Sequence, residues 1–407
     1  MNDDLSLPDK PLADQNKNQQ PNDYLGESNF KSPEEIAQSQ DNPEPTPPKM
    51  KRKTPWAWLN DRLSKKQIIA LTVLLFVVLL GLLVGAWMWK NKKMPSMISK
   101  PAAKKEEPAK TTETSKLTGL EVPVGTNQRP VTAVMIENSP DARPQSGLKD
   151  AGVVFEAVAE GGVTRFVALF QDTQPDYVGP IRSARPYYIE WILGFDAPYA
   201  HVGGSPDALA AIKNLGVKDL DQFANGSSYK RVTNRYAPHN VYTSIAALND
   251  LEHSKGWDHS NYDGFVRKPK DTPSAAPTHK QINVVLSGFY YNAHWDYEQA
   301  SNSYVRSEAG KPHTDERSGQ PIKAKEVVVM VMNKGTMPDG YHSTYQTVGS
   351  GKVYVFQDGA SYEGTWSKSD VKKQIEFKDA AGKPLALNPG ETWVTAVGNA
   401  TDVTAGP

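Results

Sequence analysis

One unbroken apolar run, Ile68 to Trp89, constrains this chain more than any other feature. It contains no Asp, Glu, Lys or Arg. At about 1.5 Å of rise per residue, a helix over this run is long enough to cross a hydrocarbon core of roughly 30 Å. Lys65 and Lys66 precede it, and Lys90, Lys92 and Lys93 follow it. Trp87 and Trp89 fall where interfacial aromatic belts lie. The run lies far from the N-terminus and lacks a small-residue cleavage site, unlike a cleaved signal peptide. The sequence therefore predicts a single membrane-spanning helix over 68–89, with the membrane itself as a partner.

Charge sets the orientation poorly. The N-terminal flank holds Lys49, Lys51, Arg52, Lys53, Arg62, Lys65 and Lys66, and the C-terminal flank carries nearly as many cations. The layout of tail, span, tether and folded part favours an N-terminus inside and the bulk of the chain outside. Residues 1–67 are rich in Pro, Asn, Gln, Asp and Lys and read as a disordered cytoplasmic tail. Within it, Trp56, Trp58, Leu59 and Leu63 have helix-like spacing, as in an interfacial segment; the alternative is an extension of the spanning helix. Residues 90–116 read as a solvated extracytoplasmic tether. Lys and Arg total 46 against 46 Asp and Glu, so nothing suggests nucleic acid.

The remainder is expected to be α+β: a mixed α/β domain over 117–266, a linker over 267–280 and a mainly β domain over 281–407. Pro130–Glu137, Ala151–Ala159 and Val163–Gln171 read as strands, the last two joined by Gly161-Gly162 as a hairpin turn. Helices are expected after Ser183, after Ser205-Pro206 and over 244–254.

No metal spacing, phosphate loop or nucleophile elbow is present, and no cofactor is expected. With no cysteine, thiol catalysis is excluded. A two-residue turn sets Glu160 opposite Val163, Val158 opposite Arg165 and Glu156 opposite Val167. Glu156, Glu160 and Arg165 then share one face. Such a cluster either binds a polar substrate, with Glu160 or Glu156 as a general acid, or is a register-setting salt bridge. Arg182 and Arg185 flank a helix start and suit an anion or carboxylate, or else pair with core carboxylates. His201 and Asp207 bracket a Gly-Gly bend before a capped helix. His239-Asn240 and His313 with Asp315 are further polar loop candidates for ligand binding.

ARPQSGL at 142–148, EGGVTRF at 160–166, GPIRSAR at 179–185, HVGGSP at 201–206 and HNVYT at 239–243 resemble the YerB-like family. GKPHTDERSG at 310–319 and LNPGETWV at 387–394 continue the likeness. This is a two-part bacterial envelope family found in lipoproteins and membrane-anchored proteins. The resemblance implies that residues 90–407 lie outside the cytoplasmic membrane. This chain has no lipobox cysteine, so the helix must anchor it. Two functions compete: binding or assembly at the cell wall, with peptidoglycan or an envelope protein as partner, and cleavage of cell-wall glycan.

Overall fold

The computed structural model describes residues 64–91 and 110–407. The expected tail up to residue 63, with most of the Trp56–Lys66 stretch, and the tether over 92–109 lie outside the described residues. The chain divides into two units, residues 1–104 and 105–407.

Helix α1 spans Lys65–Asn91. Its 27 residues make a rod of about 40 Å. Leu, Val and Phe side chains stand exposed along it, Leu74, Phe76 and Leu83 among them. It is one helix long and apolar enough to cross a membrane.

In the second unit, order begins before residue 117. Thr112–Thr114 pairs antiparallel with Glu121–Pro123, which corrects the expected end of the tether. The Glu113 carboxylate accepts from the N–H groups of Gly125 and Asn127 and holds this ribbon closed.

The body is built on a nine-stranded mixed sheet. Its order is Glu376–Lys378, Ala360–Lys368, Gly349–Gln357, Glu326–Val331, Thr392–Val397, Val153–Glu160, Val163–Phe170, Thr132–Glu137 and Tyr199–Ala200. Thr392–Val397 runs parallel to Glu326–Val331 on one side and to Val153–Glu160 on the other. One sheet therefore takes strands from both sides of 267–280. Arg267, at the head of the expected linker, donates to Glu326 and to the carbonyls of Asn388 and Leu117.

Every residue of Thr132–Glu137 and Val153–Glu160 is buried, because layers cover both faces of the sheet. Met135, Phe155, Ala157 and Val167 pack against Tyr187, Tyr188 and Trp191 of helix α2 (Pro186–Ile192) and Ile212 of helix α3 (Pro206–Leu215). On the other face, Val134, Val154, Phe166 and Ala168 pack against Trp295 and Tyr304 of a six-stranded sheet and against Ile245 and Leu248 of helix α4 (Ile245–Ser254). Burying each of these large side chains contributes about 1.5–3 kcal/mol. The six-stranded sheet keeps one face in water, and Gln281–Val284 alternates exposed and buried accordingly. The mixed first part and mainly β second part agree with the sequence reading.

Two helix starts match their signals. Ser205 Oγ accepts from Ala208 N and Ser244 Oγ from Ala247 N, and Gly216 ends α3 at φ 68°. The expected cap at Ser183 is corrected to Arg185, which is extended (φ −135°) because Pro186 follows it at the first helical position.

Candidate functional site

The hairpin at Gly161-Gly162 forms as expected, but its register does not. Glu160 faces Val163, whereas Val158 faces Thr164, Ala157 faces Arg165 and Glu156 faces Phe166. Ala159 is the extra residue of a bulge between them. A one-residue slip exchanges faces. Glu156 therefore lies on the face opposite Arg165, and the expected shared face of Glu156, Glu160 and Arg165 is corrected to Glu160 and Arg165 alone. Phe155 and Ala157 share Arg165's face, and Phe166 and Ala168 share that of Glu156.

Two carboxylates on the helix-covered face are each held by two basic side chains. Glu160 Oε1 accepts from Arg165 Nη2, and its Oε2 sits 2.6 Å from Arg185 Nη2. Arg165 also donates to Ser183 O, and its side chain is 2 % exposed. Burial, and then the neighbouring Arg165 guanidinium, push the Arg185 pKa down, with Glu160 opposing them. One strand over, directly across from Arg165, stands Glu137. Its Oε1 accepts from Arg182 Nε at 3.1 Å and its Oε2 lies 2.8 Å from His239 Nδ1. Ser139 Oγ is 3.3 Å from the same Nδ1. Serine and carboxylate on one ring nitrogen do not make a proton relay, which needs them on opposite nitrogens.

A cleft of about 360 Å³ opens beside the Glu160 cluster, at the starts of α2 and α3. Arg185, Tyr187, Glu190, Asp207, Asp339 and His342 are among its lining residues. The hairpin tip carries one wall, since Gly161 N donates to Tyr341 O. Gly161 itself has φ 53°, and a Cβ there would meet the Tyr341 ring. His342 Nδ1 is 2.6 Å from Asp339 Oδ2. The volume falls at the small end of ligand pockets, which run roughly 300–1,000 Å³.

The other candidates serve elsewhere. Glu156 is wholly buried, bonded to Arg306 Nη2 at 2.7 Å and Trp393 Nε1 at 2.8 Å. His201 is buried with Nδ1 2.8 Å from Gly203 O and Nε2 3.0 Å from Asp219. Asp207 is exposed on the first turn of α3 and reaches the cleft. Asn240 accepts from Arg231 and donates to Val232 O. His313 lies between the sheets, accepting from Arg306 at Nδ1 and facing Gln145 Oε1 at Nε2. Asp315 staples a turn by accepting from the N–H groups of Gly147, Arg317 and Ser318.

The sequence reading did not single out Glu137, Arg306, Glu308 or Arg143. Glu308 pairs with Arg143 and Arg306 and accepts from Asn138. Burial alone would raise its pKa, but Arg306, His313 and Arg143 hold it down at about 2. The available signal was a carboxylate closing an otherwise apolar strand, as Glu137 does.

The chain has recognisable relatives. Residues 117–258 match the family described as "Protein of unknown function (DUF3048) N-terminal domain", and residues 282–394 match its C-terminal domain. A protein of Bacillus subtilis (strain 168), described as "Putative lipoprotein YerB", is 31% identical over 286 residues, 69% of this chain and 85% of the relative. The crystal structure of YerB protein from Bacillus subtilis has a TM-score of 0.66 and 28% identity, covering 72% of this chain and 100% of that one.

Proposed function

This chain belongs to the YerB-like, two-part DUF3048 family, and from that premise we propose that it is a membrane-anchored envelope protein that binds cell-wall material. Helix α1 spans the cytoplasmic membrane once, with the N-terminus inside and residues 110–407 outside. The ligand is peptidoglycan, taken up in the cleft beside Arg185. The relative's name as a lipoprotein supports membrane attachment, and the absence of cysteine from this sequence leaves α1 as the anchor.

The carrying observation is the state of Glu160. Both its oxygens are occupied by guanidinium groups, so neither is free to deliver a proton to a glycosidic oxygen. Glu156, the other carboxyl considered for that role, is wholly buried. This weighs against glycan cleavage and for a preset polar wall that recognises a ligand. The test is sedimentation of the detergent-solubilised protein with purified peptidoglycan, with soluble fragments measured in parallel. Co-sedimentation without released muropeptides is expected. Release of fragments would replace binding with cleavage, and absence of both would remove the ligand.

A further inference from the structure

The Glu137 cluster is built differently from the cleft. Glu137 is 3 % exposed and spends both oxygens on orienting Arg182 and His239. Those two side chains remain 25 % and 20 % exposed. Arg182 uses only Nε in that contact, and among the described residues its Nη1 and Nη2 have no hydrogen-bond partner. His239 commits Nδ1, and its Nε2 likewise has no partner among the described residues.

A chain of contacts, partly through the backbone, joins Arg182 to His239. Arg182 O accepts from Val202 N, and His201 O accepts from Gln222 N. Gln222 Oε1 accepts from Arg231 Nη2, whose Nη1 reaches Asn240. Asn240 adjoins His239, which returns to Glu137 and Arg182. Arg231 is exposed, as is Lys230 beside it. The nearby carboxylates each commit one oxygen, Asp219 Oδ1 to His201 and Asp221 N, and Asp221 Oδ1 to Gly203 N. Phe223, 71 % exposed, follows Gln222 in the chain, and Tyr236, 92 % exposed, accepts at its carbonyl from His239 N.

We propose that Arg182, Arg231 and His239 as an imidazolium, whose Nδ1–H is held by Glu137 and whose Nε2–H is then the outward donor, form an oxyanion-binding site, distinct from the cleft, for a carboxylate or phosphate group carried by a wall polymer. The paired Nη groups of an arginine match the two oxygens of such a group, and a buried carboxylate that fixes the guanidinium removes most of the ordering cost of binding. The exposed Phe223 and Tyr236 rings offer a surface to the rest of the ligand.

The test uses the full chain in neutral detergent, with its histidines ¹⁵N-labelled. The His239 ring signals, assigned by their loss in His239→Gln, are followed during titration with acetate and, separately, with inorganic phosphate, at constant ionic strength set by chloride. A saturating shift at Nε2 is expected. Arg182→Gln should weaken it about tenfold or more and Arg231→Gln about threefold or more. Arg182→Lys keeps the charge and loses the fork, so it should fall between wild type and Arg182→Gln, which guards against a folding artefact. Tighter binding of acetate identifies a carboxylate source, and tighter binding of phosphate a phosphate source; both support the site. A shift that chloride alone produces, or one that survives Arg182→Gln unchanged, overturns it.

Discussion

Arg306 crosses from the six-stranded sheet to Glu156 in the nine-stranded sheet, Nη2 to Oε1 at 2.7 Å, with neither side chain exposed. Its guanidinium also lies 4.9 Å from the Trp393 ring centre and 5.4 Å from that of Phe166. Burial opposes the charge, yet Glu156 and Glu308 hold the Arg306 pKa above its ordinary value. Burial raises the Glu156 pKa against the Arg306 charge, so Arg306→Met should leave a buried carboxyl without its partner, weaken the hold on Glu308 as well, and cost on the order of 3–5 kcal/mol. Adding Glu156→Gln should recover a large part of that loss. Urea unfolding of both single variants and the double measures it, and a double-variant loss equal to the sum of the two single losses would mean the pair is not coupled.

His313 gives the body an acid-sensitive contact. Arg306 donates to its Nδ1, so the ring is neutral with its proton on Nε2 toward Gln145. Burial pushes its pKa down to about 3, against the Glu308 charge. The folded state thus binds this proton less well than the unfolded chain does. Stability from this group is complete above the ordinary histidine pKa of about 6.5 and is lost as pH falls from there toward 3. Glu308, at about 2, adds a loss of the same sign below about 4.5. His313→Gln should flatten the stability profile between pH 6.5 and about 4.5. A profile as steep as wild type there would exclude His313 as its source.

Glu252 has the opposite sign. It is buried on α4, its Oε1 accepts from Thr132 Oγ1, and its Oε2 has no hydrogen-bond partner among the described residues. Burial raises its pKa to about 8. The folded state then holds a proton that the unfolded chain releases near pH 4.5, so stability falls as pH rises from 4.5 to about 8. Glu252→Gln, which keeps the shape without the charge, should gain on the order of a few kcal/mol at pH 8 and nothing at pH 4. Denaturant midpoints at the two pH values decide it.

Local chemistry was the legible part of this sequence. Ser205-Pro206 and Gly216 bound α3 because a hydroxyl cap, a fixed φ and a left-handed glycine act within a few residues. Gly161-Gly162 turns the hairpin for the same reason. The bulge at Ala159 has no such signature, and that single residue sent Glu156 to the other face. Ser303–Glu308 carries no clear strand signal because Arg306 and Glu308, which point into the interior, look like surface residues until their partners arrive. Those partners, Glu156 and Arg143, are distant in sequence, so no pattern within one segment could announce them. The continuity of one sheet across 267–280 was hidden for the same reason: parallel pairing of Thr392–Val397 with Val153–Glu160 is a long-range contact.

Glu160→Gln keeps the shape and removes the charge, but Arg165 beside it is 2 % exposed and would be left buried with an amide oxygen in place of its counter-charge. The variant should therefore lose stability by about 3–5 kcal/mol, so lost binding in it would say little about recognition. Asp207 is the cleaner probe. It is exposed at the start of α3, lines the cleft and has no ion-pair partner among the described residues. Asp207→Asn loses only a favourable charge at a helix N-terminus, about 0.3–1 kcal/mol. It should leave the melting temperature within a few degrees of wild type. If the cleft holds the wall ligand, co-sedimentation with peptidoglycan should fall several-fold in Asp207→Asn. Unchanged binding in both Asp207→Asn and Asp339→Asn would move recognition out of this cleft.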